Sequence, residues 1–250
     1  MMAEEISPNL VWHALHSVHA HFAVGNGAAA RYPDDVVPYA ALADANHGDL
    51  SPLGELLVPG EKVYLIGPQP AETDSLRVGP PLDCFQMVFP VAGSTEIGAA
   101  EIAAAEFGPA AFEAGESGAD SATILRLSRE DAPDMVALTD VAFPGFFRRR
   151  TNEMGEYFGI RIEGELVAMA GERLAIPGWR EISAVCTHPA HTGKGYATVL
   201  MNRLLREHAA AGMKSFLHVI EKNSRAIALY KRMGFVTANS VPLWPISLAD

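Results

Sequence analysis

The stretch from Glu181 to Phe235 constrains this chain more than any other part. Two glycine-bearing landmarks, Thr192-Gly193-Lys194-Gly195-Tyr196-Ala197 and Met233-Gly234-Phe235, punctuate alternating strand and helix patterns there. Glu181-Ile182-Ser183-Ala184-Val185-Cys186-Thr187 has the apolar and β-branched content of a buried strand. His188-Pro189 ends it, because proline has no N–H to give a ladder. Gly193 and Gly195 allow a tight turn and a close approach to a ligand, since glycine accepts positive φ. Ala197, Leu200, Met201, Leu204, Leu205 and His208 recur at helical spacing, with Gly212 at the expected C-terminal cap. Phe216-Leu217-His218-Val219-Ile220 predicts a second short strand. Ala226, Leu229, Tyr230 and Met233 predict a second helix, capped by Ser224 and stopped by Gly234. The result is a β-α-β-α module whose glycine turn opens onto a helix N-terminus. Unpaired N–H groups and a partial positive charge at such a terminus suit a pyrophosphate.

These residues resemble the GNAT superfamily of acyl-CoA-dependent N-acetyltransferases. Its coenzyme turn reads Gln/Arg-x-x-Gly-x-Gly/Ala, and its next motif reads Asn-x-x-Ala-x-x-x-Tyr-x-x-x-Gly-Phe. The second motif is complete here, from Asn223 through Ala226 and Tyr230 to Gly234-Phe235. The first departs at its opening position, where Thr192 stands in place of Gln or Arg. Backbone amides carry most anion binding in such turns, so weakened rather than lost affinity is expected. The resemblance implies acetyl-CoA as acyl donor, held by Thr192, Gly193, Lys194, Gly195, Tyr196 and Ala197 together with Asn223 and Ala226. It implies that backbone N–H groups along Val185-Cys186-Thr187 meet the oxyanion and the pantetheine arm, and that Tyr230 is the general acid. Glu181 and Glu172 are the candidates for the base; the competing reading pairs them with neighbours such as Arg173 or Arg180. Cys186 could be a nucleophile, but a Cys within an apolar strand reads as a small buried hydrophobe.

The resemblance reaches upstream. Residues 123–127 read as a strand, 128–142 as a helix with Pro133 in its first turn, and 157–160 and 166–173 as two more strands. Residues 121–250 therefore cover one domain of this type, with an α+β fold in which a mixed central sheet is flanked by helices. The pattern is most similar to the subgroup that includes the glycine N-acyltransferase-like C-terminal domain. Residues 1–115 form an N-terminal α/β region, read as a degenerate GNAT-like unit or an unrelated one, without a second coenzyme motif. Strands are expected at 63–67 and 85–89, and short helices at Pro38 to Ala45 and Pro52 to Leu57. An Ala-, Gly- and Glu-rich passage from Val91 leads to a connection at Gly115 to Asp120.

Charge separates the two halves. Residues 1–120 carry 17 acidic and 3 basic side chains and residues 121–250 carry 13 and 16, within a net charge of -11. The basic excess lies where an anionic coenzyme is expected, and Arg148-Arg149-Arg150 is too short a run for a nucleic-acid surface. Two cysteines give neither a disulfide framework nor a metal cluster, and His13, His16, His19 and His21 lack completing ligands, so no metal is expected. No apolar run is long enough to span a bilayer and no leader-like N-terminus is seen, so a cytoplasmic protein is expected. The expected partner is a small-molecule amine or amino-acid acceptor, with no nucleic acid and no membrane. The acidic half either shapes the acceptor site or pairs with a second copy in a homodimer. The alternative to an enzyme is an acyl-CoA sensor without turnover, which the Thr192 departure leaves open.

Overall fold

The structure is a computed structural model that describes residues 6–90 and 123–249. The Ala-rich passage and the connection at Gly115 to Asp120 lie outside the described residues. A small antiparallel sheet joins β1 (Val24–Gly25), β2 (Ala29–Arg31) and β3 (Ala40–Leu42). The main sheet has nine strands: β4 (Val63–Ile66), β5 (Leu76–Val78), β6 (Leu82–Phe89), β7 (Ile124–Leu127), β8 (Tyr157–Ile162), β9 (Glu165–Ile176), β10 (Trp179–Thr187), β11 (Lys214–Ile220) and β12 (Val236–Leu248). Their order is β4-β12-β6-β11-β10-β9-β8-β7, with β5 also on β12. The β10–β11 pair is parallel, and the other pairs of this sheet are antiparallel, so it is the mixed sheet expected.

Strand alternation supplies two apolar faces. On β11, Phe216 joins the cluster beneath helix α1 (Leu10–Leu15), whereas Leu217 and Val219 join the opposite cluster. Helices α4 (Tyr196–Ala210) and α5 (Ser224–Arg232) cover that second cluster through Leu200, Met201, Leu204, Leu205 and Tyr230. Helix α3 (Ala132–Ala142), entered through a Ser128–Asp131 capping box, packs Met135 and Leu138 against β9 and β10. Helix α2 (Ser51–Gly54) is a single turn.

Two local expectations are corrected. Residues 40–42 are a strand rather than part of a helix, because Ala40, Ala41 and Leu42 are buried and pair residue by residue with β2. Asn223, not Ser224, caps α5; its Oδ1 accepts the Ala226 N–H at 3.1 Å. The strands at 63–66 and 82–89 belong to the main sheet, and β6 lies between β11 and β12. The sheet thus crosses the division between residues 1–115 and 121–250.

Candidate active site

The two parallel strands diverge as soon as they have met. Trp179, Arg180 and Glu181 pair with Lys214, Ser215 and Phe216, and β10 makes no further ladder to β11 from Ile182 onward. Ala184 sits at φ 52° inside the register shift between Ser183 and Cys186, a strained bulge that turns β10 outward. The split opens into a cleft of about 540 Å³. Backbone from Ile182 to Thr187 forms one side, and His218, Val219 and Ile220 form the other. Buried strand backbone without a ladder partner offers hydrogen bonds to a ligand. This is where Val185, Cys186 and Thr187 were expected. Burial pushes the Cys186 thiol up to about 12, which marks a packed thiol rather than a nucleophile.

The glycine turn lines the same cleft. Gly193 and Gly195 adopt φ 82° and 79°, and Gly195 is the residue from which α4 begins, with no side chain capping the first turn. Residues 192–198 therefore present a glycine turn and a free helix N-terminus to the cleft. Thr192 Oγ1 bonds back to the Pro189 carbonyl at 3.2 Å, so this side chain serves its own loop. Across from the turn, α5 contributes Asn223, Ala226 and Tyr230. It also brings Arg225 and Arg232, which join Lys194 along the cleft. These two arginines were not singled out from the sequence, although Arg225 lies inside the Asn223 motif and the basic excess of this half pointed to such groups. Burial, with a smaller effect of Cys186, pushes the Tyr230 phenol up to about 12, so it stays protonated at neutral pH.

The two carboxylates do not join this group. Glu172 accepts a hydrogen bond from the His208 ring at 2.9 Å and lines a separate cavity with Arg126, Arg180 and Arg203. Glu181 lies just behind the cleft wall with no exposed side-chain surface. Arg173 reaches it through both Nε and Nη2, at 3.0 and 2.5 Å, and the Leu174 N–H adds a third bond. His218 Nδ1 is 2.7 Å from Glu181 Oε1. A carboxylate held at about 2 can only accept, so Nδ1 carries the imidazole proton. His218 Nε2 then accepts from the Gln86 amide at 3.2 Å, and Gln86 Oε1 accepts from Asn239 at 3.1 Å. His218 and Arg173, not either carboxylate, are the members of this network that line the cleft.

The far end of the cleft comes from residues distant in sequence. Tyr39, Leu82, Cys84 and Leu243 meet Phe143 and Phe146 from the loop after α3. Phe146 packs 6.2 Å from Tyr39 and 4.8 Å from Tyr64 between ring centroids. None of these was legible as a site residue, because local patterning cannot say which loops converge. The four early histidines do not converge on one point. His16 Nδ1 bonds the Trp12 carbonyl, and His19 lies between the Tyr32 hydroxyl and the Met154 carbonyl. Among the described residues, no helix is long and apolar enough to cross a membrane.

Residues 123–235 match the acetyltransferase (GNAT) family. A crystal structure of a protein from Novosphingobium aromaticivorans, assigned to the GNAT family as an acetyltransferase, is similar over 99% of this chain and 100% of its own, at 28% identity and a TM-score of 0.80. A GCN5-related N-acetyltransferase from Kribbella flavida shares the fold over 97% of this chain and 96% of its own, at 14% identity and a TM-score of 0.57. A GCN5-related N-acetyltransferase-like protein from Streptococcus suis does so over 95% and 93%, at 11% identity and a TM-score of 0.58. No curated protein matches the sequence.

Proposed function

We propose, on the match of residues 123–235 to the acetyltransferase (GNAT) family, that this protein moves an acetyl group from acetyl-CoA to the primary amine of a small molecule. The observation that carries this reading is the single cleft in which the β10–β11 split, the Gly193–Gly195 turn and Tyr230 meet. The turn, the free N-terminus of α4 and the Lys194, Arg225 and Arg232 cations suit a pyrophosphate and its neighbouring phosphate. Backbone of Val185 to Thr187, laddered to β9 but without a ladder on its β11 side, suits a pantetheine arm and a thioester oxygen.

In the proposed reaction the amine nitrogen attacks the thioester carbonyl in a ternary complex. The C–N bond forms, the C–S bond breaks, and one proton passes from nitrogen to the departing sulfur overall. Tyr230 is assigned to that sulfur. A phenol at about 12 faces a thiolate whose acid has a pKa of about 8.5, so complete transfer would be uphill on the order of 5 kcal/mol. Tyr230 therefore acts chiefly as a hydrogen-bond donor to the developing thiolate. His218 takes the place of the carboxylates as proton acceptor at Nε2, the nitrogen that Glu181 leaves unprotonated, and to take the proton it gives up the bond from the Gln86 amide. A second reading, an acyl-CoA sensor, draws on the Thr192 departure and its bond to Pro189.

Calorimetry with acetyl-CoA, followed by thiol release over a panel of amines, tests the proposal. Binding together with amine-dependent release is expected. Tyr230→Phe should lower kcat by roughly 10- to 100-fold, the size of a hydrogen bond to a charged group, with acetyl-CoA affinity unchanged. Binding without release under any acceptor would favour the sensor.

A further inference from the structure

We propose, resting on the transferase reading above, that the acceptor is a monoamine on an uncharged, apolar body. The wall that selects it is built jointly by the N-terminal region and the loop after α3. The cleft runs through the β10–β11 split from the face covered by α4 and α5 to the face that carries Tyr39. Lys194, Arg225 and Arg232 belong to the first end, where the phosphates of the donor would take their charge. At the second end Leu82, Phe143, Phe146 and Leu243 are apolar, and Tyr39 presents a fully buried ring.

Charge is balanced at that second end before any ligand arrives. Arg173 is the cation there, and it is engaged on two sides. Its guanidinium grips both Glu181 oxygens and lies 5.0 Å over the Tyr39 ring. No aspartate or glutamate is among the described residues that line the cleft. A second ammonium on the acceptor would find no carboxylate. An acceptor carboxylate would find a guanidinium already neutralised. Either extra charge would be buried without its counter-ion, whereas an apolar body would exchange water for aromatic and aliphatic side chains. The reacting amine has the same constraint, and it enters in the neutral form that the attack requires.

Three probes separate these cases: phenethylamine, L-phenylalanine, which adds a carboxylate, and spermidine, which adds cations. Each is assayed twice, for thiol release with acetyl-CoA and for equilibrium binding to the protein saturated with CoA. Phenethylamine is expected to lead by about 100-fold or more in both kcat/KM and affinity. Phe146→Asp, which sets a carboxylate into the wall, should narrow or reverse the gap to spermidine. The proposal is overturned if spermidine or L-phenylalanine reacts or binds as well as phenethylamine, or if none of the three binds. Selective phenethylamine binding without thiol release would leave the selectivity standing and remove the transferase reading. Release that prefers spermidine would do the reverse.

Discussion

Glu181 is ionised although its side chain has no exposed surface. Burial alone pushes its carboxyl up; the Arg173 charge and the His218 hydrogen bond outweigh that and hold it down to about 2. Its unfolded value is about 4.3, so the folded value is depressed. The stabilisation it brings is complete above about pH 4.3 and is lost as pH falls toward 2. Glu181→Gln would leave Arg173 as a buried cation without its partner, a loss of about 3–5 kcal/mol at pH 7. The gap between wild type and variant should shrink steadily below about pH 4, as the carboxyl of the unfolded wild-type chain takes up a proton that the folded one does not. Denaturant titrations at pH 7 and pH 3 measure it, and an equal gap at both would contradict the assignment. The sequence already offered pairing with Arg173 as the competing reading of Glu181. What it could not show was His218 completing the set from the neighbouring strand, because that contact depends on the β10–β11 register.

At the scale of one element, the turn into α4 is where local sequence and function coincide. A Cβ at Gly195 would meet nothing within 4 Å, so the cost of Gly195→Ala is the backbone's alone. Holding an L-residue at φ 79° costs roughly 1–2 kcal/mol, and relieving it rotates the N–H groups of the first turn away from the cleft. Gly195→Ala should therefore raise the acetyl-CoA KM by roughly 5- to 30-fold, the factor equivalent to that energy, while kcat stays within about twofold. Initial rates across donor concentration check this; a fall in kcat at unchanged KM would place the turn elsewhere in the mechanism. Helix α4 was readable because its apolar stripe and both glycines are local signals. Strand β12 was not readable, since Pro242 and Pro245 argue against an interior strand. It is tolerated because their carbonyls still accept, from Gly67 N–H at 3.1 Å and Gly79 N–H at 2.8 Å.

Across the whole molecule, the composition shift near residue 120 and the sheet follow different divisions. The acidic half supplies β4, β5 and β6 to the same sheet as the basic half, and Tyr39, Leu82 and Cys84 to the same cleft. Pairings this distant in sequence leave no local periodicity, so the fold type was legible and the interleaving was not. The interleaving bears on whether residues 121–250 form an independent unit. Without β6, strand β11 keeps only its short ladder to β10, and β12 loses its ladder to β6, while Tyr39, Cys84 and Val88 leave the cluster around Phe216. Unpaired strand edges and an uncovered apolar face favour aggregation over a cooperative fold. A fragment of residues 121–250 should therefore show no cooperative thermal transition and no acetyl-CoA binding, whereas adding residues 1–120 as a separate chain should restore both. Circular dichroism and calorimetry on the two pieces, alone and mixed, decide the matter. A monomeric fragment that unfolds cooperatively and binds acetyl-CoA as the full chain does would show that the N-terminal strands extend the domain without completing it.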